Sequence, residues 1–169
     1  MDCKVVVYYA PDYYKATNMH EFHILTVGDE SWRVVEFDEH KLSKLGSVFI
    51  TEGFMHWSLN EDKVLTLNLE TEAFTESSGP GYTRGDVVKN TYLSTGRCLS
   101  LLRECGELSW EVWEMCRDTF EWRKSGEFSL EGHKSEFEST RCNVGITPVG
   151  WVKYLEALIL CVICAGRRF

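Results

Sequence analysis

The stretch EGFMHWSLNEDKVLTLNLETEAF, residues 52–74, alternates apolar and polar side chains on both sides of a polar break. Such alternation is typical of strands with one buried side. The apolar positions of the two strands are Met55, Trp57, Leu59, Leu65, Leu67 and Leu69. The break at residues 60–62 has a usual length for a hairpin loop. We therefore expect an antiparallel hairpin with one buried face, and we expect His56 on its other face.

The end of this stretch belongs to a six-residue pattern: an apolar residue, two variable residues, an acid, a small residue and an aromatic. The pattern occurs at residues 27–32, 69–74 and 115–120, and its copies end on Trp32, Phe74 and Phe120. These aromatic residues are 42 and 46 positions apart. Acids and small hydroxyl residues bond backbone N–H groups in turns, and aromatic residues fill space between layers. Each copy therefore predicts a strand, a turn and a second strand.

Repeats of about 40 to 50 residues with about four strands each are typical of propeller blades. We predict a first, incomplete blade from VVVYYA, EFHILTV and SWRVVEF. Gly53 provides the turn between the first two strands of a second blade, SVFI, FMHWSL, KVLTLNL and EAFTE. A third blade consists of NTYLS, CLSLLREC, LSWEVWEM and FEWRKSGEF. The expected fold is all-β, with antiparallel meanders in about three propeller-like blades and little or no helix; the alternative is an ordinary antiparallel sandwich.

The length fits a single domain over residues 1–169, in which residues 131–169 contain no further copy of the turn. Three blades cannot close a propeller, so their open faces need a cover. Two alternatives could cover them: the C-terminal segment could form a cap, or a second copy could do so in a symmetric homodimer. The apolar run at residues 157–165 is too short to span a bilayer as a helix. We interpret it as a buried strand, with membrane contact as the alternative.

The composition argues against several classes of partner. Eighteen Lys and Arg stand against 26 Asp and Glu, a formal net charge of -8. Nucleic acid and anionic lipid surfaces are disfavoured, because both require a positive footprint. The N-terminal segment does not have the form of a secretory signal, so we expect a cytoplasmic or nuclear protein. In a reducing compartment, the seven cysteines are expected to be small buried apolar residues.

The sequence predicts no catalytic residue, no metal site and no cofactor. Cys161 and Cys164 form a single CxxC without the second pair of ligands that a closed zinc site needs. His20 and His23 would point to opposite faces of a strand. A phosphate-binding loop, HExxH and G-x-S-x-G do not occur.

The sequence assigns binding to loops and packing to aromatic strand residues. The two longest polar segments without periodicity contain the candidate partner-binding residues Tyr13, Tyr14, Tyr82 and Arg84. Loops on a rigid scaffold carry most binding residues, and Tyr and Arg are frequent anchors. The expected structural anchors of the core are Trp32, Trp57, Phe74, Trp113, Phe120 and Trp122.

Several elements together resemble the F-box-associated domain of plant F-box proteins, over about residues 5 to 160. The elements that carry the resemblance are SWR (31–33), GFMHW (53–57), TEAF (71–74), GRCL (96–99) and VW (112–113) with Trp122. The segment KYLEALIL also resembles an ending common in that family, with Ala157 in place of Ser.

The resemblance implies a non-catalytic module that recognises protein substrates for SCF-type ubiquitin ligases. Members of the family carry an F-box that docks on the ligase core. We expect this chain to lack that F-box, since the resemblance begins near its first residue. An alternative is a stand-alone F-box-associated protein that acts as a competitor, a dominant-negative or a toxic factor, with membrane association through its apolar tail.

Overall fold

The computed structural model describes residues 3–9, 21–36, 45–60, 63–81, 89–135, 144–152 and 157–164. These residues form thirteen strands, all paired antiparallel, and one short 3-10 helix, Glu131–His133. The all-β fold expected from the alternating segments is therefore confirmed.

The strands form three meander sheets and a hairpin. Sheet 1 contains β1 (Lys4–Tyr9), β2 (Glu21–Thr26) and β3 (Arg33–Glu36). Sheet 2 contains β4 (Val48–Thr51), β5 (Phe54–Asn60), β6 (Lys63–Asn68) and β7 (Phe74–Ser78). Sheet 3 contains β8 (Asn90–Ser94), β9 (Leu99–Gly106), β10 (Ser109–Met115) and β11 (Trp122–Ser129). The hairpin pairs β12 (Val144–Val152) with β13 (Ala157–Cys164). The sheets group the strands as the sequence predicts, and the apolar tail contains a strand.

Sheet 2 packs against both of the other sheets. On one side, Phe22 and Ile24 of sheet 1 pack with Trp57 and the leucines Leu59, Leu65 and Leu67. Complete burial of a large apolar side chain contributes about 1.5 to 3 kcal/mol, so this layer is a main source of stability.

On its other side, sheet 2 packs against sheet 3. Val64 forms a cluster with Leu99 and Met115, and the rings of Phe49 and Tyr92 are 5.9 Å apart. The prediction of one buried face for the hairpin at residues 52–74 is therefore wrong. The second face is covered by sheet 3.

The first strands of successive sheets are neighbours, since β4 lies against β8 and β8 lies against β12. On the side of sheet 3 that faces away from sheet 2, Leu102 and Val112 are fully buried and Phe128 packs against them. Among the described residues, no helix has the length and apolar character needed to cross a membrane.

The turn between β6 and β7 contains a residue with an uncommon backbone conformation. Asn68 donates its N–H to the carbonyl of Ala73 at 3.0 Å, and Glu72 donates to the carbonyl of Asn68 at 2.8 Å. Glu72 has a φ of 56°, in the left-handed region that non-glycine residues rarely occupy.

The turn between β10 and β11 repeats this geometry. Cys116 donates to the carbonyl of Glu121 at 2.7 Å, Phe120 donates to that of Cys116 at 2.9 Å, and the φ of Phe120 is 55°. Phe120 is therefore the structural counterpart of Glu72, 48 positions earlier. The sequence pattern matches Phe120 with Phe74 instead, at a spacing of 46, so its register for the third copy is wrong by two residues. The pattern rests on residue classes, whereas the turn is defined by backbone hydrogen bonds.

Most expected anchors lie between the sheets. Trp57 is buried, and Phe74 packs in the same cluster. Phe120 and Trp122 pack against the cluster between sheets 2 and 3.

Two of the tryptophans have different surroundings. Trp113 is partly buried, with the Arg103 guanidinium 5.4 Å from its ring centre and its indole N–H donated to Glu111 at 3.1 Å. Trp32 is 45% exposed, so its expected place in the core is wrong. It lies directly before β3 of sheet 1, and the outer side of sheet 1 is not packed against sheet 2 or sheet 3.

Four cysteines whose burial the structure describes are not core residues. Cys3 and Cys105 are exposed, Cys98 and Cys116 are half-buried, and all four are free thiols. The expected burial is therefore wrong for these four. Cys98 and Cys116 lie at strand ends, where a small side chain is accommodated without filling a core position.

Candidate functional site: the outer face of sheet 1

The side of sheet 1 that faces away from sheet 2 is apolar. Because Phe22 and Ile24 point towards sheet 2, the alternate residues of each strand point away from it. The strand pairing places Val5 opposite Leu25, and Val7 and Val34 on either side of His23. We call this side the outer face, and its apolar residues are Val5, Val7, Tyr9, Leu25, Trp32 and Val34.

Four of the six apolar residues of the outer face are well exposed, whereas Val7 and Leu25 are half-buried. Val34 is 54% and Tyr9 is 53% exposed, and Val5 and Trp32 also belong to the exposed large hydrophobic residues. Contiguous exposed apolar patches on a soluble protein usually mark an interface. The outer face is therefore the strongest candidate interaction surface among the described residues.

Three acidic residues lie beside the outer face, one at the start of β2 and two in the turn between β2 and β3. Glu21, Asp29 and Glu30 are exposed beside it. His23 lies 3.0 Å from the Glu21 carboxylate. The margin of the outer face is thus negative.

The basic residues of sheet 1 pair with a carboxylate of sheet 2. The Glu72 carboxylate accepts hydrogen bonds from Arg33 Nε at 2.9 Å, from Arg33 Nη2 at 2.7 Å and from Lys4 Nζ at 2.6 Å. Arg33 also donates to Asp29 at 2.7 Å. These bonds join sheet 1 to the turn between β6 and β7.

The hydrogen bonds to Glu72 change the acidity of both partners. Bonds from Arg33 first, and then from Lys4, lower the pKa of Glu72 to about 2. The same bond from Glu72, followed by that from Asp29, raises the pKa of Arg33. Glu72 and Arg33 are therefore both charged at neutral pH. The positive charges of Arg33 and Lys4 are already paired with Glu72 within the chain.

A second candidate is a small surface cleft at the turn end of sheets 2 and 3. Its lining is mainly apolar and includes the two basic residues Arg97 and Arg117. The Arg117 guanidinium lies over the ring of Phe54, 5.3 Å from its centre. The residues that line the cleft are Thr51, Phe54, His56, Arg97, Cys98, Leu99, Met115, Arg117 and Phe120.

His56 at the bottom of this cleft has two hydroxyl partners. Its Nε2 lies 2.9 Å from Thr51 Oγ1, and its Nδ1 lies 2.9 Å from Thr66 Oγ1. Burial lowers the pKa of His56 to about 4, so the imidazole is neutral at pH 7. His56 does lie on the face opposite Trp57, as expected, but that face is buried as well, and His56 is only 3% exposed. Both imidazole nitrogens are therefore engaged in hydrogen bonds with buried threonine hydroxyls.

The partner-binding residues predicted from the loops, Tyr13, Tyr14, Tyr82 and Arg84, lie outside the described residues. Within the described part of the chain, no group of three or more His, Cys, Asp or Glu side chains could hold a metal ion.

The sequence does contain a signal for the outer face. VVVYY at residues 5–9 is continuously apolar, and such a strand carries apolar residues on both sides. Strands of this kind are buried on both faces in the sheets where they usually occur. Half of that apolar surface packs on sheet 2, and the other half forms part of the outer face.

Comparison with known proteins identifies no relative: no family model, no curated protein and no solved structure matches the chain.

Proposed function

We propose that this chain is a non-catalytic protein-interaction module that binds its protein partner through the outer face. The observation that carries the proposal is the exposure of Val5, Tyr9 and Val34 on one side of sheet 1. Burial of apolar surface at about 25 cal/mol per Å² is the main driving force of protein association. Trp and Tyr, which are both present here, are frequent binding anchors.

The charges around the outer face indicate the surface charge of the partner. Its margin carries exposed acids, and the basic residues Lys4 and Arg33 are already paired with Glu72. The whole chain has a net charge of -8. We therefore expect the partner to be a different protein, with an apolar surface surrounded by basic residues, because a second copy would bring like charges together.

We also propose that the three sheets are arranged as propeller-like blades. Two observations support this arrangement. The first strands β4, β8 and β12 of successive elements are neighbours, as they are around the axis of a propeller. The turns before β7 and β11 share their hydrogen bonds and their positive φ.

The resemblance to F-box-associated domains leads to a narrower proposal, in which the partner is a protein marked for ubiquitination. In that case, the module supplies substrate recognition and the ligase contact comes from an F-box. A chain that lacks an F-box would compete for the substrate instead. Stoichiometric co-purification with the ligase adaptor subunit would assign the ligase contact to this chain and contradict the competitor role.

The outer face can be tested with a charge substitution in cells that produce the chain. Val34→Lys places a charge in the apolar patch without disturbing the core, since Val34 is exposed. Ser125→Lys adds the same charge to β11, where Ser125 is exposed on sheet 3. We expect the specific partner to be lost from affinity-purified Val34→Lys and retained by Ser125→Lys.

Other outcomes would contradict the proposal. If both variants retain the same partner, the outer face is not the binding surface. Sedimentation equilibrium tests whether a second copy of the chain covers the outer face instead. The expected species has the 19.5 kDa mass of one chain. A dimer that Val34→Lys dissociates would instead show that a second copy covers the outer face.

A further inference from the structure

Among the described residues, sheet 1 has three strands where sheets 2 and 3 have four. Backbone hydrogen bonds show which strand has no counterpart. Val27, directly after β2, donates its N–H to the carbonyl of Cys3, directly before β1, at 2.7 Å. Leu69, directly after β6, donates in the same way to Gly53, directly before β5, at 2.9 Å. β1 and β2 therefore correspond to β5 and β6, and β4 is the strand that has no counterpart among the described residues of sheet 1.

Side-chain contacts support this correspondence. Lys4, the first residue of β1, is bonded to Glu72 in the following sheet. Phe54, the first residue of β5, packs against Phe120 in the following sheet, with 5.8 Å between ring centres. Glu72 and Phe120 are equivalent residues of two turns with the same hydrogen bonds. Lys4 and Phe54 thus occupy the same place in two successive sheets.

The role of a first strand is visible in sheet 2. β4 pairs with β5 along Val48–Thr51 and lies against β8 of the next sheet. Its Phe49 ring covers Tyr92 of β8 at 5.9 Å. A first strand therefore extends its own sheet and covers apolar residues of the next first strand.

The opposite side of β4 is uncovered. Val48 and Ile50 flank Phe49 in sequence, so they point away from sheet 3 and towards the side of sheet 1. They are 49% and 61% exposed. A first strand of sheet 1 would lie over these two residues.

The edge of β1 beside this position has the hydrogen-bonding groups that a strand needs. Residues of an antiparallel pair alternate between bonded and non-bonded positions. Because Cys3 is bonded to Val27, the next bonded positions of β1 are Val5 and Val7. Lys4 and Val6 therefore direct their N–H and C=O groups away from β2.

We infer that an extended segment of the partner protein adds to sheet 1 as a fourth strand, paired with β1 and packed over Val48 and Ile50. Strand addition at a sheet edge is a common mode of peptide recognition, in which main-chain bonds give affinity and alternate side chains give specificity. The segment that fits has aliphatic or aromatic residues at alternate positions and no proline. Its charge is neutral or basic, because this chain is acidic.

This inference rests on the proposed function, because the added strand comes from the partner protein proposed there. The two binding surfaces are tested by different residues: Val34 for the outer face and Val48 for the edge of β1. A suitable probe is the peptide acetyl-KSVFITK-amide, which carries the β4 sequence SVFIT between lysines. We expect it to slow amide hydrogen exchange of Lys4 and Val6 in the full chain by about tenfold when its free concentration is about ten times its Kd. NMR resolves these amides individually.

Two variants and one control peptide make the test specific. Val48→Lys should abolish the slowing, whereas Val34→Lys, on the outer face, should retain it. The peptide with proline in place of phenylalanine should have no effect, because proline cannot donate to a strand ladder. An unchanged exchange rate with the first peptide, equal slowing by both peptides, or full slowing in Val48→Lys would each overturn the inference. Protection without peptide that disappears on dilution would identify a second copy as the occupant and overturn the assignment to a different protein.

Discussion

Glu72 and Arg33 form a bidentate pair across two sheets, with Nε and Nη2 of the guanidinium 2.9 and 2.7 Å from the two carboxylate oxygens. Glu72 adopts a positive φ in its turn, and its side chain extends to sheet 1 from there. Its counterpart Phe120 contacts sheet 2 through Phe54. The same backbone position therefore joins successive sheets in two places, once by an ionic contact and once by an aromatic one.

Glu72→Gln should destabilise the contact between sheets 1 and 2. The amide retains the size of the side chain but loses the charge that attracts Arg33 and Lys4. Since Arg33 is partly exposed, we expect a loss of about 1 to 2 kcal/mol in the free energy of unfolding. Urea denaturation measures it. Glu107→Gln, which removes an exposed carboxylate of a surface pair with Lys134, is the control and should change stability by less than about 0.5 kcal/mol.

The pair should also make stability depend on pH at low pH. The pKa of Glu72 is about 2 in the folded state and 4.5 in the unfolded chain. Its contribution is therefore complete above pH 4.5 and is lost as the pH falls towards 2. Denaturation series at several pH values should show this slope in the wild type and a smaller one in Glu72→Gln. Equal slopes would mean that the pair is not formed in solution.

His56 should produce a separate dependence at higher pH. Burial lowers its pKa from 6.5 to about 4, so between these values the unfolded chain binds a proton that the folded chain does not. Stability is therefore greatest above pH 6.5 and decreases as the pH falls towards 4. NMR titration of the imidazole should give a pKa near 4. A value near 6.5 would show that His56 is accessible to solvent and that sheet 3 does not cover it.

Two tryptophan replacements should distinguish core from surface. Trp57→Ala removes a buried ring that packs on Phe22 at 5.2 Å between centres, and should cost about 3 to 5 kcal/mol. Trp32→Ala removes a ring that is 45% exposed, and should cost less than about 1 kcal/mol. Thermal unfolding followed by circular dichroism measures both. Similar losses would place Trp32 in the core, as its sequence pattern suggests.

The strands and their grouping could be predicted from the sequence because alternation and turn residues are local. EFHILTV and KVLTLNL have a period of two, and Gly53 does lie in a turn with a φ of 81°. The grouping into three sheets followed from the recurrence of one turn pattern. These features depend on neighbouring residues alone.

The packing of the sheets could not be predicted in the same way. His56 and Thr66 are polar residues joined by a hydrogen bond, so their face appears exposed in the sequence although sheet 3 covers it. Trp32 occupies a pattern position equivalent to Phe74, but Phe74 faces a neighbouring sheet and Trp32 faces the outer side. Such differences depend on which sheet lies beside which.

The most direct test of the outer face is site-specific photo-crosslinking in the cells that produce the chain. Benzoylphenylalanine placed at Val34 lies on the outer face, and at Ser125 it lies on β11 of sheet 3. We predict a covalent product with one different protein from position 34, no such product from position 125, and loss of the product from position 34 when Val5→Lys is added. A product from position 34 with twice the 19.5 kDa chain mass, or no product at that position, would contradict the proposal that the outer face binds a different protein.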